Sequence, residues 1–399
     1  MKLKVIITAL VISISYGINA QEITETKFGK GILNVVAKDS SWSMKFAARM
    51  QFLSTTGWDI NDDDFSSPET NFLVRRARLK FGGFAYSPKL QYKIELGLSN
   101  RDLSGGSEFT SNTPRYILDA VIKWNFYKNF TLWAGQTKLP GNVERVISSA
   151  NMQLVDRSRL NSRFNIDRDL GVQLRHHFNL SDKFLVREIV AISQGEGRNI
   201  TTGNLGGHQY TGRLELLPFG KFKSKGEYKG ADLKREQTPK LMLAATYDFN
   251  ADAVKNRSNQ GDYMITSTGF YETNITTLFV DAVLKYKGFS FMGEFADRDA
   301  GDAIAVEEDG TPTGAIVQVG NALNLQAGYL FKNNWEVAGR YTNLNYDAVV
   351  GKDLEEQYTL GISKYVAGHN LKVQSDISYT TENGNGSGLM YRLQFDIHL

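Results

Sequence analysis

The chain has 399 residues, with 37 Gly, 7 Pro, no Cys, 12% aromatic, 41% hydrophobic and 22% charged residues. This mix is rich in strand formers and turn glycines, and it excludes collagen, disorder and disulfide scaffolds. Without a thiol there is no Cys-ligated metal, thiol nucleophile or lipid-bearing cysteine. The formal charge of +3 falls to +1 if Lys2 and Lys4 are removed with the N-terminus, so charge gives no reason to expect nucleic acid as a partner.

At the start of the chain, Lys2 and Lys4 precede an apolar core from Val5 to Ile14 and a polar stretch ending at Ala20. This is the three-part layout of a secretory signal peptide. A spanning helix needs about 20 apolar residues and the core is barely half that, so residues 1–20 are expected to be a cleaved signal. No later run approaches spanning length.

After residue 41 the pattern is period two. Trp42, Met44, Phe46, Ala48, Met50 and Phe52 alternate with polar Ser43, Lys45, Arg49 and Gln51, which predicts a strand with one apolar face. Leu90–Leu98 and Tyr116–Phe126 repeat it. In chain order the predicted strands are 42–52, 73–84, 89–98, 116–126, 130–137, 168–178, 184–193, 208–217, 240–250, 276–286, 289–298, 321–331, 335–342, 356–366, 371–379 and 389–399. The last alternates to the final residue, Leu399.

An even number of strands near ten residues long, joined by alternately short and long connections, predicts an all-β fold. Specifically, it is a transmembrane antiparallel β-barrel of 16 strands with short periplasmic turns and long outer loops. The connection 218–239, rich in Lys, is the exception on the short side. A soluble sandwich has no reason to keep this short-long order, and no blade repeat supports a propeller. The expected organisation is therefore a signal peptide (1–20), an N-terminal periplasmic segment (21–41) and a barrel domain (42–399). Its surroundings would be outer-membrane lipid, and strand 389–399 would be presented to the assembly machinery.

In such a barrel the polar residue of each pair faces the lumen, which at this size holds water. Arg76, Arg78 and Lys80 then form a cationic ladder, with side chains about 6.6 Å apart along the strand, while Leu79 and Phe81 face lipid. Lys93, Lys123, Arg175 and Arg213, with Arg49, are further lumen cations on neighbouring strands and should converge on one side. Arg and Lys suit oxyanions. Glu95, Asp119, Asp169, Glu215, Asp248, Asp281 and Glu294 share lumen positions and could pair with these cations. Arg75 is out of phase and is expected to face lipid. The longest loop, 138–167, carries Lys138, Arg145, Arg157, Arg159 and Arg163, together with apolar Val146, Ile147, Met152, Leu154 and Leu160. It is expected to fold inward as a constriction.

The stretches 74–102 (VRRARLKFGGFAYSPKLQYKIELGLSNRD) and 117–178 (ILDAVIKWNFYKNFTLWAGQTKLPGNVERVISSANMQLVDRSRLNSRFNIDRDLGVQLRHHF) resemble the phosphate-selective porin O and P family, in its Bacteroidetes form. The resemblance implies a sixteen-stranded outer-membrane porin, a homotrimer, in which basic lumen residues draw phosphate or related small anions. By type, the family's basic ladder falls on Arg76, Arg78 and Lys80 and its constriction loop on 138–167. The alternatives are a general, weakly selective diffusion porin, a barrel enzyme or an adhesin.

Catalysis is not expected. The adjacent His176 and His177 point to opposite faces of a strand, and His208, His369 and His398 sit in no nucleophile motif. Asp59, Asp62, Asp63 and Asp64 lack the spacing and Gly of a calcium loop, so neither a metal nor a cofactor is expected.

Overall fold

The computed structural model describes residues 21–23, 27–61, 64–104, 106–112, 114–201 and 203–399. The signal-peptide reading of residues 1–20 lies outside the described residues, as do Asp62 and Asp63.

Sixteen antiparallel strands build a closed barrel: β1 (Ser43–Asn61), β2 (Glu69–Ala85), β3 (Ser87–Gly97), β4 (Ile117–Tyr127), β5 (Phe130–Lys138), β6 (Arg168–Asn179), β7 (Leu185–Ser193), β8 (Gln209–Leu217), β9 (Lys240–Ala253), β10 (Thr273–Tyr286), β11 (Phe289–Ala300), β12 (Gly320–Leu330), β13 (Trp335–Tyr346), β14 (Glu355–Tyr365), β15 (Leu371–Glu382) and β16 (Asn385–His398). Each pairs with the next, and β16 closes on β1 with Phe395 opposite Phe52 and Ile397 opposite Met50. Closure leaves no edge strand, which is what permits a sheet to sit in lipid. All sixteen predicted strands are present, and the fold class is the one expected.

The alternation sorts the side chains by face. Val172, Leu174, Val190, Ile192, Leu243, Val280, Leu360 and Ile362 are exposed on the outside, where they meet lipid. Gln51, Asp119, Gln173, Glu215, Asp248 and Gln394 are buried inside. This inversion of a soluble core is the barrel arrangement.

Three departures from the sequence reading lie in the barrel wall; outside it, the connection 251–275 also carries a strand, Lys255–Tyr263. The loop expected over 53–72 is mostly strand, because β1 runs out to Asn61 and β2 begins at Glu69. The loop expected over 380–388 is a tight hairpin in which Glu382 pairs with Asn385. Asn383 and Gly384 turn it with φ of 48° and 82°, the positive values that an Asn-Gly hairpin turn requires. Thirdly, Arg75 does not face lipid. Gln51 pairs with Arg76 and Phe52 with Val74, so Arg75 is the extra residue of a β-bulge. The bulge shifts the phase by one and leaves Arg75 as buried on the lumen side as Arg76.

Ahead of the barrel, strand Leu33–Ala37 pairs with the start of β1, and Gln21–Ile23 pairs back on it. The turn Lys27–Lys30 lies below the barrel, with Gly29 against Asn370.

Candidate functional site: the lumen passage

The 139–167 segment between β5 and β6 folds into the barrel. Its apolar residues explain why. Leu139, Leu160, Phe164 and Ile166 pack with Phe279, Ala296, Ala322 and Leu344 of the wall, and Val143 and Ile147 pack with Leu185, Met242, Val283 and Met292. All six are at most 4% exposed, a burial that water above the membrane could not provide.

Polar anchors complete the attachment. Glu294 accepts from the Glu144 N–H at 2.7 Å and from Asn142 Nδ2 at 3.1 Å. Gln153 Nε2 donates to Glu336 at 2.7 Å, and the Val155 N–H donates to Asp376 at 3.0 Å. Arg298 donates to the carbonyls of Arg163 and Asn165 at 3.1 and 3.3 Å. The segment therefore lies on β7–β15 and leaves the lumen open along β2–β6.

That opening is an aqueous cavity of about 960 Å³. Among the described residues, seventeen basic and five acidic side chains line it, the acids being Glu95, Asp102, Asp119, Asp156 and Asp167. The first-half cations do converge. Arg75 and Arg76 meet Asp156 at 2.7 and 3.4 Å. Burial alone would lift the Asp156 carboxyl, but the two guanidiniums outweigh it and hold it below the usual carboxylate range. Arg78 pairs with Asp102 at 2.9 Å and Glu95 at 3.3 Å, and Lys93 bridges Glu95 and Asp119 at 2.8 and 2.7 Å.

Of the loop cations, Arg145 pairs with Asp167, and Arg159 reaches across to Glu355 on β14. Lys138 Nζ donates to the carbonyls of Arg145 and Ile147 at 2.5 and 3.1 Å, so it clamps the short helix Val143–Val146. Arg157 donates to the Glu144 and Ile147 carbonyls at 3.0 and 2.8 Å. Burial brings its guanidinium down to about 10.

Four candidate residues do not border the passage, and Arg49 is one of them: fully buried, it pairs with Asp396 at 2.6 Å and donates to Ser149 Oγ at 2.7 Å. Arg213 is fully buried between Glu215, Asp281 and the Gly141 carbonyl, where it ties wall to loop. Lys80 sits beyond the passage with Glu95 3.8 Å away. The Arg163 side chain ends the helix Arg159–Arg163 outside the passage lining.

The structure also supplies groups that the sequence reading passed over. Trp133 stands on the lumen face of β5 with Lys123 and Arg175 each 3.8 Å from its ring centroid. Such cation–π contact orders the two long side chains without neutralising them. The signal was present in the sequence, since Trp133 lies on the polar phase with Thr131 and Thr137. Arg101, Arg115, Arg198, Lys225 and Arg257 also line the passage. Among the described residues, no carboxylate lies within salt-bridge distance of these five, nor of Lys123, Arg157 or Arg175.

The 218–239 connection also turns inward, from the periplasmic end. Phe222 packs with Val143 and Ile147, and the Gly230 N–H donates to Asn151 O at 2.6 Å. Glu227 pairs with Arg187 at 2.7 Å. Two inward segments thus meet mid-barrel and support each other.

No curated protein matches the chain at a significant level. Several solved porins share its fold. A porin from Salmonella typhi, OmpF in complex with daunomycin, aligns with a TM-score of 0.57 at 11% identity, over 90% of this chain and 98% of that one. An anion-selective porin from Comamonas acidovorans gives 0.55 at 11% identity, over 90% and 100%. The outer-membrane channel DcaP of Acinetobacter baumannii gives 0.53 at 11% identity, over 91% and 99%. At these identities the likeness shows the fold. The family model described as phosphate-selective porin O and P matches residues 52–397. With its barrel closed, its strands facing lipid and nearly the whole barrel inside that match, this chain belongs to the phosphate-selective porin O and P family and resides in the outer membrane.

Proposed function

We propose that the barrel is an anion-preferring aqueous channel for small solutes of the phosphate class, and neither an enzyme nor an adhesin. One observation carries this reading: among the described residues, the passage is bordered by seventeen basic against five acidic side chains. Cations without carboxylate partners in a narrow pore with low-dielectric walls focus a positive potential. The many ion pairs along β2–β4 favour weak rather than strong selectivity as a second reading, because each pair removes field from the lumen. We further propose a cleaved signal at 1–20, a homotrimer, and presentation of strand 389–399 to the assembly machinery.

The test replaces Lys123 and Arg175 with Gln. Both lack carboxylate partners, so the double variant should assemble normally and shift the zero-current potential in a salt gradient towards the cation side. Inorganic phosphate added to a chloride-carrying channel should reduce the wild-type current at concentrations where it barely affects the variant. Equal phosphate sensitivity would favour the weakly selective channel.

A further inference from the structure

On the lipid face of β6 and β7 one pair of residues breaks the apolar pattern. Leu170, Val172, Leu174 and Phe178 hold the outward positions of β6, and Val186, Val190 and Ile192 those of β7. Between them stand His176 and Glu188, directly opposite each other in the register, with His176 Nδ1 and Glu188 Oε2 3.0 Å apart. Neither is hidden from the membrane, since the Glu188 side chain is 51% exposed and that of His176 24%. Among the described residues, the other carboxyl oxygen, Glu188 Oε1, has no hydrogen-bond or ion-pair partner. A carboxylate facing lipid gives up hydration, so an ionisable group there points to a function.

Aromatic rings fix the depth of the pair. His176 stacks on Phe130 with ring centroids 4.1 Å apart and on Phe178 at 5.6 Å. Phe126 follows 6.1 Å from Phe130, and Trp124 5.5 Å from Phe126. This ribbon across β4–β6 belongs to the periplasmic girdle, the level at which lipid headgroups meet acyl chains. His176 lies two residues inside Phe178, about 6.6 Å along the strand, so the pair sits at the inner edge of that level.

A groove runs from the pair towards the membrane centre. His176, Glu188, Leu214 and Ala245 form one row across β6–β9, and Leu174, Val190, Gly212 and Tyr247 form the next outward-facing row above it. Gly212 has no atom within 4 Å of where a Cβ would stand, so the wall is notched there between Val190 and Tyr247. With Ile192 and Tyr210 of the row beyond, these residues enclose a mostly apolar surface groove of about 720 Å³. A polar anchor at the headgroup level and an apolar groove leading inward from it together match an amphipathic ligand, not a bare patch of solvent lipid.

We propose that this face binds one phospholipid of the periplasmic leaflet whose headgroup carries a primary ammonium, as phosphatidylethanolamine does. Glu188 Oε1 accepts a charge-assisted hydrogen bond from the ammonium, His176, held by the rings on either side, fixes the carboxylate, and an acyl chain lies in the notch at Gly212. Charge selects the headgroup: an anionic lipid such as phosphatidylglycerol brings no cation to Glu188 and is repelled by it. The site is on the outside of the barrel, so it is independent of what the passage conducts.

The test titrates the full-length barrel, stripped of lipid in detergent, with phosphatidylethanolamine and with phosphatidylglycerol of the same acyl chains, and reads the bound lipid by native mass spectrometry. Two variants are compared with the wild type, Glu188→Gln and Gly212→Leu. Resistance of the folded band to unheated sample buffer shows that each has assembled. The wild type should hold one phosphatidylethanolamine about tenfold or more tighter than phosphatidylglycerol, as expected for a hydrogen bond between charged groups. Glu188→Gln should bring the two lipids close to level, and Gly212→Leu should weaken both by filling the notch. Equal binding of the two lipids by the wild type, a preference that survives Glu188→Gln, or binding undiminished by Gly212→Leu would overturn the proposal. So would a shift of either variant to a smaller oligomer with lipid binding unchanged, because a second copy of this chain would then occupy the face.

Discussion

Arg75 shows how much one residue of register decides. Strict alternation assigns it to lipid; the bulge opposite Gln51 and Phe52 turns it inward, where it joins Arg76 on Asp156. Among the described residues, Asp156 is one of five acids on the passage, so Asp156→Asn should increase anion preference, read as a larger zero-current potential in a salt gradient. It should also make the current noisier, because Arg75 and Arg76 lose the carboxylate that fixes the loop beside them. An unchanged potential would mean that the pair lies out of the field of the permeating ion. The neighbouring Leu79 tests the opposite face. Leu79→Arg places a charge in lipid at a cost of about 2–4 kcal/mol if it lies near the midplane, and should reduce the yield of folded barrel in a refolding assay. Normal folding would show that the face assignment of β2 is wrong.

The 139–167 segment was recognisable as an inward element from its length and from apolar residues that solvent would not retain. Its partners were not legible. Asp281 and Glu294 read in sequence as lumen acids available to cations, yet they accept hydrogen bonds from the loop backbone at Val143 and Glu144, and Asp376, which the sequence reading did not single out, accepts from Val155. That use depends on where a distant segment comes to rest, which no local pattern encodes. The same holds for 218–239, whose lysines announce charge but not the inward path fixed by Phe222 and Gly230. Removing residues 142–162 and joining the ends with a short Gly-Ser link should raise single-channel conductance and weaken anion preference together. Wall charge acts only within a Debye length of about 8 Å in physiological salt, so a wider pore carries more current and is less selective. Unchanged conductance would show that the segment does not limit the flow.

For the whole molecule, period-two alternation and the short-long order of connections were sufficient to reach sixteen strands, because lipid outside and water inside impose the same inversion on every one of them. The signal fails above the membrane. Beyond Phe52 on β1 and beyond Tyr379 on β15 both faces meet water, alternation is no longer enforced, and strands that continue to Asn61 and Glu382 look like loops. The site was legible in part for a related reason. A cation on the polar phase of a strand must face the lumen, so Arg76, Arg78, Lys93, Lys123 and Arg175 could be placed on one wall. Whether each is neutralised depends on cross-strand partners such as Glu95 and Asp119, and on loop acids such as Asp156. The central claim is that the cations left over set the sign of the pore. Single-channel recording across a planar bilayer with tenfold asymmetric KCl tests it most directly. The account predicts a zero-current potential displaced towards the chloride equilibrium potential; displacement towards that of potassium, or none, would contradict it.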